Sequence, residues 1–141
     1  MEDGTTLARI EAEADDRFVP LRRQLGVTSF GINEIVLAPG QRGRIHCHGR
    51  QEEVYLVLEG KLTISIEDSE ETLQRGELIR VAPALRRQLI NVGTEPLILL
   101  ALGGAGEHEG RDGEAFSSWD DERGASPRDV PLPEDLPPGS S

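Results

Sequence analysis

Apolar and polar positions along this chain fall into short runs broken by turn residues. Thr28 to Leu37 is strand-like and stops at Pro39-Gly40. Arg44 to His48 is a second, shorter strand candidate. Val54 to Leu58 is a continuous apolar run, as expected of a strand buried on both faces, and it ends at Glu59-Gly60. Lys61 to Glu67 alternates strictly, the mark of a half-buried strand. Asp68-Ser69-Glu70-Glu71 reads as a polar turn. Leu78 to Val81, Arg87 to Val92 and Leu97 to Leu102 complete the series, with Pro83 and Pro96 as punctuation. No convincing helical period lies between these runs, so the pattern predicts an all-β sandwich or barrel.

The flanks have a different character. Residues 1–17 form a weakly patterned N-terminal extension that frays or adds a short element. Residues 18–104 carry the strand rhythm of the barrel domain. Residues 105–119 form a C-terminal segment, with Phe116 and Trp119 as apolar residues that pack it on the barrel. Residues 120–141 hold five of the nine prolines and many acids, a composition expected of a mobile tail.

Composition narrows the class. With 141 residues, 36% hydrophobic and 29% charged, the chain suits one globular domain. The net charge of -11 is uneven: -5 over residues 1–16, +1 over 17–102 and -7 over 103–141. Phosphate backbones need a basic stripe, so nucleic acid is excluded as a partner class. Cys47 is the one cysteine, which leaves no intrachain disulfide. The apolar run Leu97–Leu102 is far too short to cross a bilayer, so no membrane partner is expected. The first residues lack the basic and apolar regions of a signal peptide, and a cytoplasmic setting is the expectation.

The candidate chemistry lies between Gly40 and Gly60. Strand side chains alternate, so His46 and His48 share a face and Cys47 points the other way. Glu53 opens the next strand, close enough to fold back beside them. Two imidazoles and a carboxylate are a ligand set for Zn, Mn, Fe or Ni. Tyr55 follows Glu53 by two and shares its face, as a pocket-lining or core residue. Cys47 is expected as a small buried hydrophobe, and His108 as a solvated loop residue.

This stretch resembles the first motif of the cupin superfamily. The motif is a glycine, five residues, His-x-His, three or four residues, Glu, six residues and a glycine. Gly40, His46, His48, Glu53 and Gly60 fill every position. The second motif is matched in part. Gly76 fits its opening glycine and Asn91 its closing asparagine. Pro83 sits one residue late, Ala84 replaces a glycine, and Arg87 replaces the histidine that is the usual fourth metal ligand. The resemblance is to single-domain bacterial cupins of unassigned activity. It implies a double-stranded β-helix, a jelly-roll-like barrel, often paired as a homodimer.

Arg87 complicates the metal expectation. A guanidinium has donors only and cannot ligate a metal. At about 6 Å and an effective dielectric of about 20 it repels a divalent ion by roughly 5 kcal/mol. Either it pairs with Glu53 or Glu52 and the pocket is metal-free, or it tilts away from a three-ligand site. A one-residue slip would turn Gln88 inward instead. Two function classes follow. One is a metal-dependent oxygenase, isomerase or hydrolase in which Arg87 and Tyr55 bind a small polar or anionic substrate. The other is a metal-free, non-enzymatic binding or sensing module.

Overall fold

The structure is a computed structural model that describes residues 4–11, 17–104 and 113–137. His108, residues 1–3 and 12–16, and the end of the chain from 138 lie outside them. Two five-stranded antiparallel sheets face each other. The first has the order β1-β2-β9-β4-β7, from Phe18–Val19, Gly31–Leu37, Leu97–Gly104, Glu52–Glu59 and Leu78–Val81. The second has the order β10-β3-β8-β5-β6, from Gly113–Phe116, Ile45–His48, Arg87–Ile90, Leu62–Ile66 and Ser69–Leu73. The core between them is built of Leu37, Tyr55, Val57, Leu62, Ile64, Leu73, Val81, Leu89, Leu97, Leu99 and Ala101.

The strand rhythm placed the central strands within a few residues. Three elements differ from expectation. Asp68-Ser69-Glu70-Glu71 reads as a turn in the sequence, yet Ser69–Leu73 forms β6, paired along its length with β5. It is an edge strand with four exposed residues, so no apolar alternation marks it, and its charges protect an open edge. The turn is Glu67-Asp68 instead. Glu67 takes φ 46°, and its carboxylate accepts the backbone N–H of Arg86 at 2.7 Å. A short helix, α1, spans Leu21–Leu25 and packs on β2 through its buried Leu21. β10 pairs with β3 from Phe116↔Ile45 to Gly113↔His48, which brings Phe116 against the barrel.

The mobile tail expected over 120–141 does not hold for residues 120–137. Val130 is buried and its carbonyl accepts Arg44 Nε at 2.7 Å. Arg42 Nη2 donates to the Glu134 carbonyl at 2.7 Å, and the Leu136 N–H donates to the Gly40 carbonyl at 2.8 Å. Arg42, Arg44 and the Gly40 carbonyl, with Arg17 paired to Asp135, thus hold a Pro-rich strap that buries little apolar surface of its own.

Gly60 ends β4 in a way only glycine allows. Its φ is +81°, and a Cβ there would stand 2.4 Å from the Pro96 carbonyl oxygen. The tight passage lets β4 turn back beside the start of β9, which fixes the strand that carries Glu53.

Candidate functional site

β3 delivers His46 and His48, and β4 delivers Glu53 and Tyr55. Alternation puts all four on the inner face. Glu53 Oε1 is the hub. His46 Nε2 lies 3.3 Å from it and His48 Nε2 lies 3.1 Å from it. The two imidazoles meet edge to face, with centroids 5.3 Å apart. One donor atom from each of the three residues falls within 4.8 Å of the others. A tetrahedral metal with bonds of about 2.0–2.2 Å would set such atoms roughly 3.3 Å apart, so the spacing fits an ion between them.

The proton positions sharpen that fit. His46 Nδ1 lies 3.2 Å from the Arg44 carbonyl oxygen, a contact that requires a proton on Nδ1. A neutral ring then turns the Nε2 lone pair toward the Glu53 carboxylate. Two acceptors face each other unless a cation or a second ring proton lies between them. The Arg44 carbonyl acts as the outer partner that fixes tautomer and ring orientation.

Tyr55 completes the hub. Its hydroxyl donates a short hydrogen bond to Glu53 Oε1 and stands 3.3 Å from His46 Nε2. Burial, joined by the adjacent Glu53 charge, pushes the phenol well above its ordinary range, so the hydroxyl stays a donor. Burial also opposes ionisation of Glu53. Hydrogen bonds from His46 and His48, joined by their charges when the rings are protonated, outweigh it and hold that carboxyl well below its ordinary range.

Arg87 is fully buried on β8, in register with His46. It does not tilt away. Nη2 lies 3.8 Å from Glu53 Oε1 and 3.4 Å from the Ala82 carbonyl oxygen. Nη1 donates to the carbonyls of Leu85 at 2.8 Å and Pro83 at 3.3 Å. Nε has no partner among the described residues. The guanidinium therefore reaches Glu53 while backbone carbonyls take most of its protons, an arrangement between the two expected ones. Glu52 is not its partner; that residue bonds Arg80 at the exposed rim. Nor does the register slip, since Gln88 Nε2 donates to the Gly43 carbonyl at 3.1 Å.

The other expected residues fall elsewhere. Cys47 is half-buried and faces outward, lining a cavity of about 400 Å³ with Arg86, Phe116 and Trp119. Burial raises its thiol, so it is not poised as a nucleophile. Phe116 takes the Arg86 guanidinium over its ring at 5.2 Å, and the Trp119 carbonyl accepts from the same arginine. Among the described residues, the carbonyls of Arg44, Ala82, Pro83 and Leu85 are the site groups that sequence reasoning missed; main-chain oxygens carry no residue signature.

Comparison with known proteins decides the family. The model of the cupin domain matches residues 33–103. The chain belongs to the cupin family. A cupin protein from Bacteroides fragilis superposes on this cupin with a TM-score of 0.65 at 28% identity, covering 77% of this chain and 92% of that one. A sugar phosphate isomerase from Silicibacter pomeroyi shares the fold at 22% identity, with a TM-score of 0.63 over 82% of this chain and 79% of its own. An uncharacterized protein, MJ1618, from Methanocaldococcus jannaschii is 27% identical over 69 residues, 49% of this chain. The match spans about half of that relative, 55% of its length. No helix among the described residues is long and apolar enough to cross a membrane.

Proposed function

We propose that this cupin binds a small anionic molecule beside a divalent transition metal held by His46, His48 and Glu53. The observation that carries the reading is the pair of facing acceptors, His46 Nε2 and Glu53 Oε1, 3.3 Å apart with Nδ1 already committed to Arg44. Zn, Mn, Fe and Ni all suit two imidazoles and a carboxylate. When bound, such an ion would act as a Lewis acid toward an oxygen of the ligand. Three protein donors leave coordination positions for that oxygen.

Charge points to the ligand class. Two neutral imidazoles, one carboxylate and one guanidinium sum to zero, so a divalent ion makes the cluster doubly positive. An anion offsets this, and it also offsets the repulsion between Arg87 and the metal, roughly 5 kcal/mol at about 6 Å and a dielectric of about 20. Arg87 is the group that favours a carboxylate or phosphate, and Tyr55 holds Glu53 so that Oε1 stays aimed at the histidines. Sugar phosphates and dicarboxylates are the first probes to try.

A second reading is favoured by the 3.8 Å separation of Arg87 Nη2 and Glu53 Oε1. In it the guanidinium and a second ring proton on His46 face the Glu53 carboxylate, and the barrel is a metal-free binding module. Calorimetric titration of chelator-stripped protein with each of the four metals separates the two. The first reading expects one site per chain, abolished by His46→Ala, with anion binding that requires the metal. Anion binding without any heat from metal supports the second.

A further inference from the structure

Asn33 is a polar side chain on the inner face of the first sheet that stands outside the hub. Register fixes its direction. Asn33 pairs with Ala101, and Ala101 pairs on its other side with Tyr55. Directly paired residues share a face, and Ala101 and Tyr55 both belong to the core between the sheets. The Asn33 amide therefore points inward with them. It is only half-buried, and among the described residues it has no hydrogen-bond partner. Asn91 contrasts with it. That residue is fully buried, donates to the carbonyls of Leu37 and Glu95 at 2.9 Å each, and accepts the Gly93 N–H at 2.9 Å. Asn91 is part of the frame, whereas Asn33 keeps its donors and its acceptor open.

The sheet between Asn33 and the hub is low. The row at the level of Glu53 runs through Gly103 to Gly31, so two strands pass the site without a side chain. Gln51 enters part of that gap, its Oε1 2.8 Å from where a Gly103 Cβ would stand. With strands about 4.8 Å apart and residues about 3.4 Å apart along them, two steps each way put the Asn33 and Glu53 Cα atoms roughly 12 Å apart. A small molecule fits between the two side chains at that distance.

We propose that Asn33 selects the uncharged end of the ligand, so that the anion bound at the hub also carries a hydroxyl group. This rests on the metal-and-anion reading of the hub and narrows its ligand class. Arg87 and the metal place positive charge at one end of the pocket, which takes the carboxylate or phosphate. The neutral amide at the other end offers N–H donors and a carbonyl acceptor, and a hydroxyl satisfies both kinds. An analogue without the hydroxyl leaves the amide unpaired when it displaces water, which is how a polar site rejects an apolar isostere.

Calorimetric titration of the metal-loaded full chain with matched anions tests this. Glycerol 3-phosphate is compared with propyl phosphate, and 3-hydroxyglutarate with glutarate. The wild type should bind the hydroxylated member of at least one pair about three- to tenfold more tightly. Asn33→Leu and Asn33→Ala should bring that ratio to about one. Both variants should still take one metal ion per chain, as the wild type does, which shows that the barrel and the hub are intact. A wild type that binds metal and anions but prefers neither hydroxylated member would overturn the inference and leave the metal-and-anion reading standing. So would a preference that survives in both variants. A wild type that takes up no metal, or that takes metal and binds none of the four anions, would overturn the inference together with that reading.

Discussion

Arg87 Nη2 stands 3.8 Å from Glu53 Oε1, and Nη1 of the same guanidinium donates to the Leu85 carbonyl at 2.8 Å. The residue at the usual fourth-ligand position thus belongs partly to the site and partly to the loop beside it. Arg87→Met should separate the two roles. It leaves three carbonyls short of a donor and removes a buried charge near Glu53. Urea unfolding should show a loss of about 3 kcal/mol. The surviving folded protein should hold metal at least about tenfold more tightly, since the repelling charge is gone, and should lose anion binding.

Gly60→Ala should destabilise the barrel far more than an ordinary glycine substitution. The new Cβ would meet the Pro96 carbonyl oxygen at 2.4 Å, with φ at +81°. Backbone must shift, so the cost should be about 2–4 kcal/mol by chemical denaturation. A change within a few tenths would mean that the β4–β9 approach is looser than described.

Glu34 predicts a pH effect away from the site. It is fully buried on the outer sheet face, and Oε2 has no partner among the described residues. Burial raises its carboxyl above the ordinary 4.5. The unfolded chain therefore ionises first as pH rises, and the penalty is complete above the raised folded value. Glu34→Gln should stabilise the protein at neutral pH by on the order of 1 kcal/mol. Melting curves of the two proteins should converge as pH falls below 4.5. A constant difference at every pH would contradict this.

The strap from Val130 to Leu136 should resist exchange. The Leu136 N–H is bonded to the Gly40 carbonyl at 2.8 Å, and Arg44 Nε holds the Val130 carbonyl. Amide hydrogen exchange should find Leu136 protected, and Arg44→Ala should weaken that protection. Exchange at the rate of an unfolded chain would restore the mobile tail.

The sequence made the barrel legible where side chains report on burial. The strict alternation over Lys61–Glu67 and the apolar run Val54–Leu58 located β5 and β4 closely. β6 was hidden because an edge strand needs no apolar face, and Ser69 to Thr72 are all exposed. The strap was hidden because main-chain carbonyls meeting Arg42 and Arg44 hold it in place of a buried apolar stripe. At the site, the spacing of His46, His48 and Glu53 foretold that they meet, and one donor atom from each lies within 4.8 Å of the others. Arg87 was legible as an inward residue by strand parity. Its division between Glu53 and the carbonyls of Ala82, Pro83 and Leu85 depends on the path of the loop, which residue types do not specify.

Elemental analysis of protein purified without added metal, run beside His46→Ala, tests the central claim most directly. The metal-bound reading predicts close to one transition-metal ion per chain in the wild type and almost none in the variant. The absence of metal from both, even after incubation with Zn, Mn, Fe and Ni, would contradict it and leave Glu53 to Arg87 and the histidines.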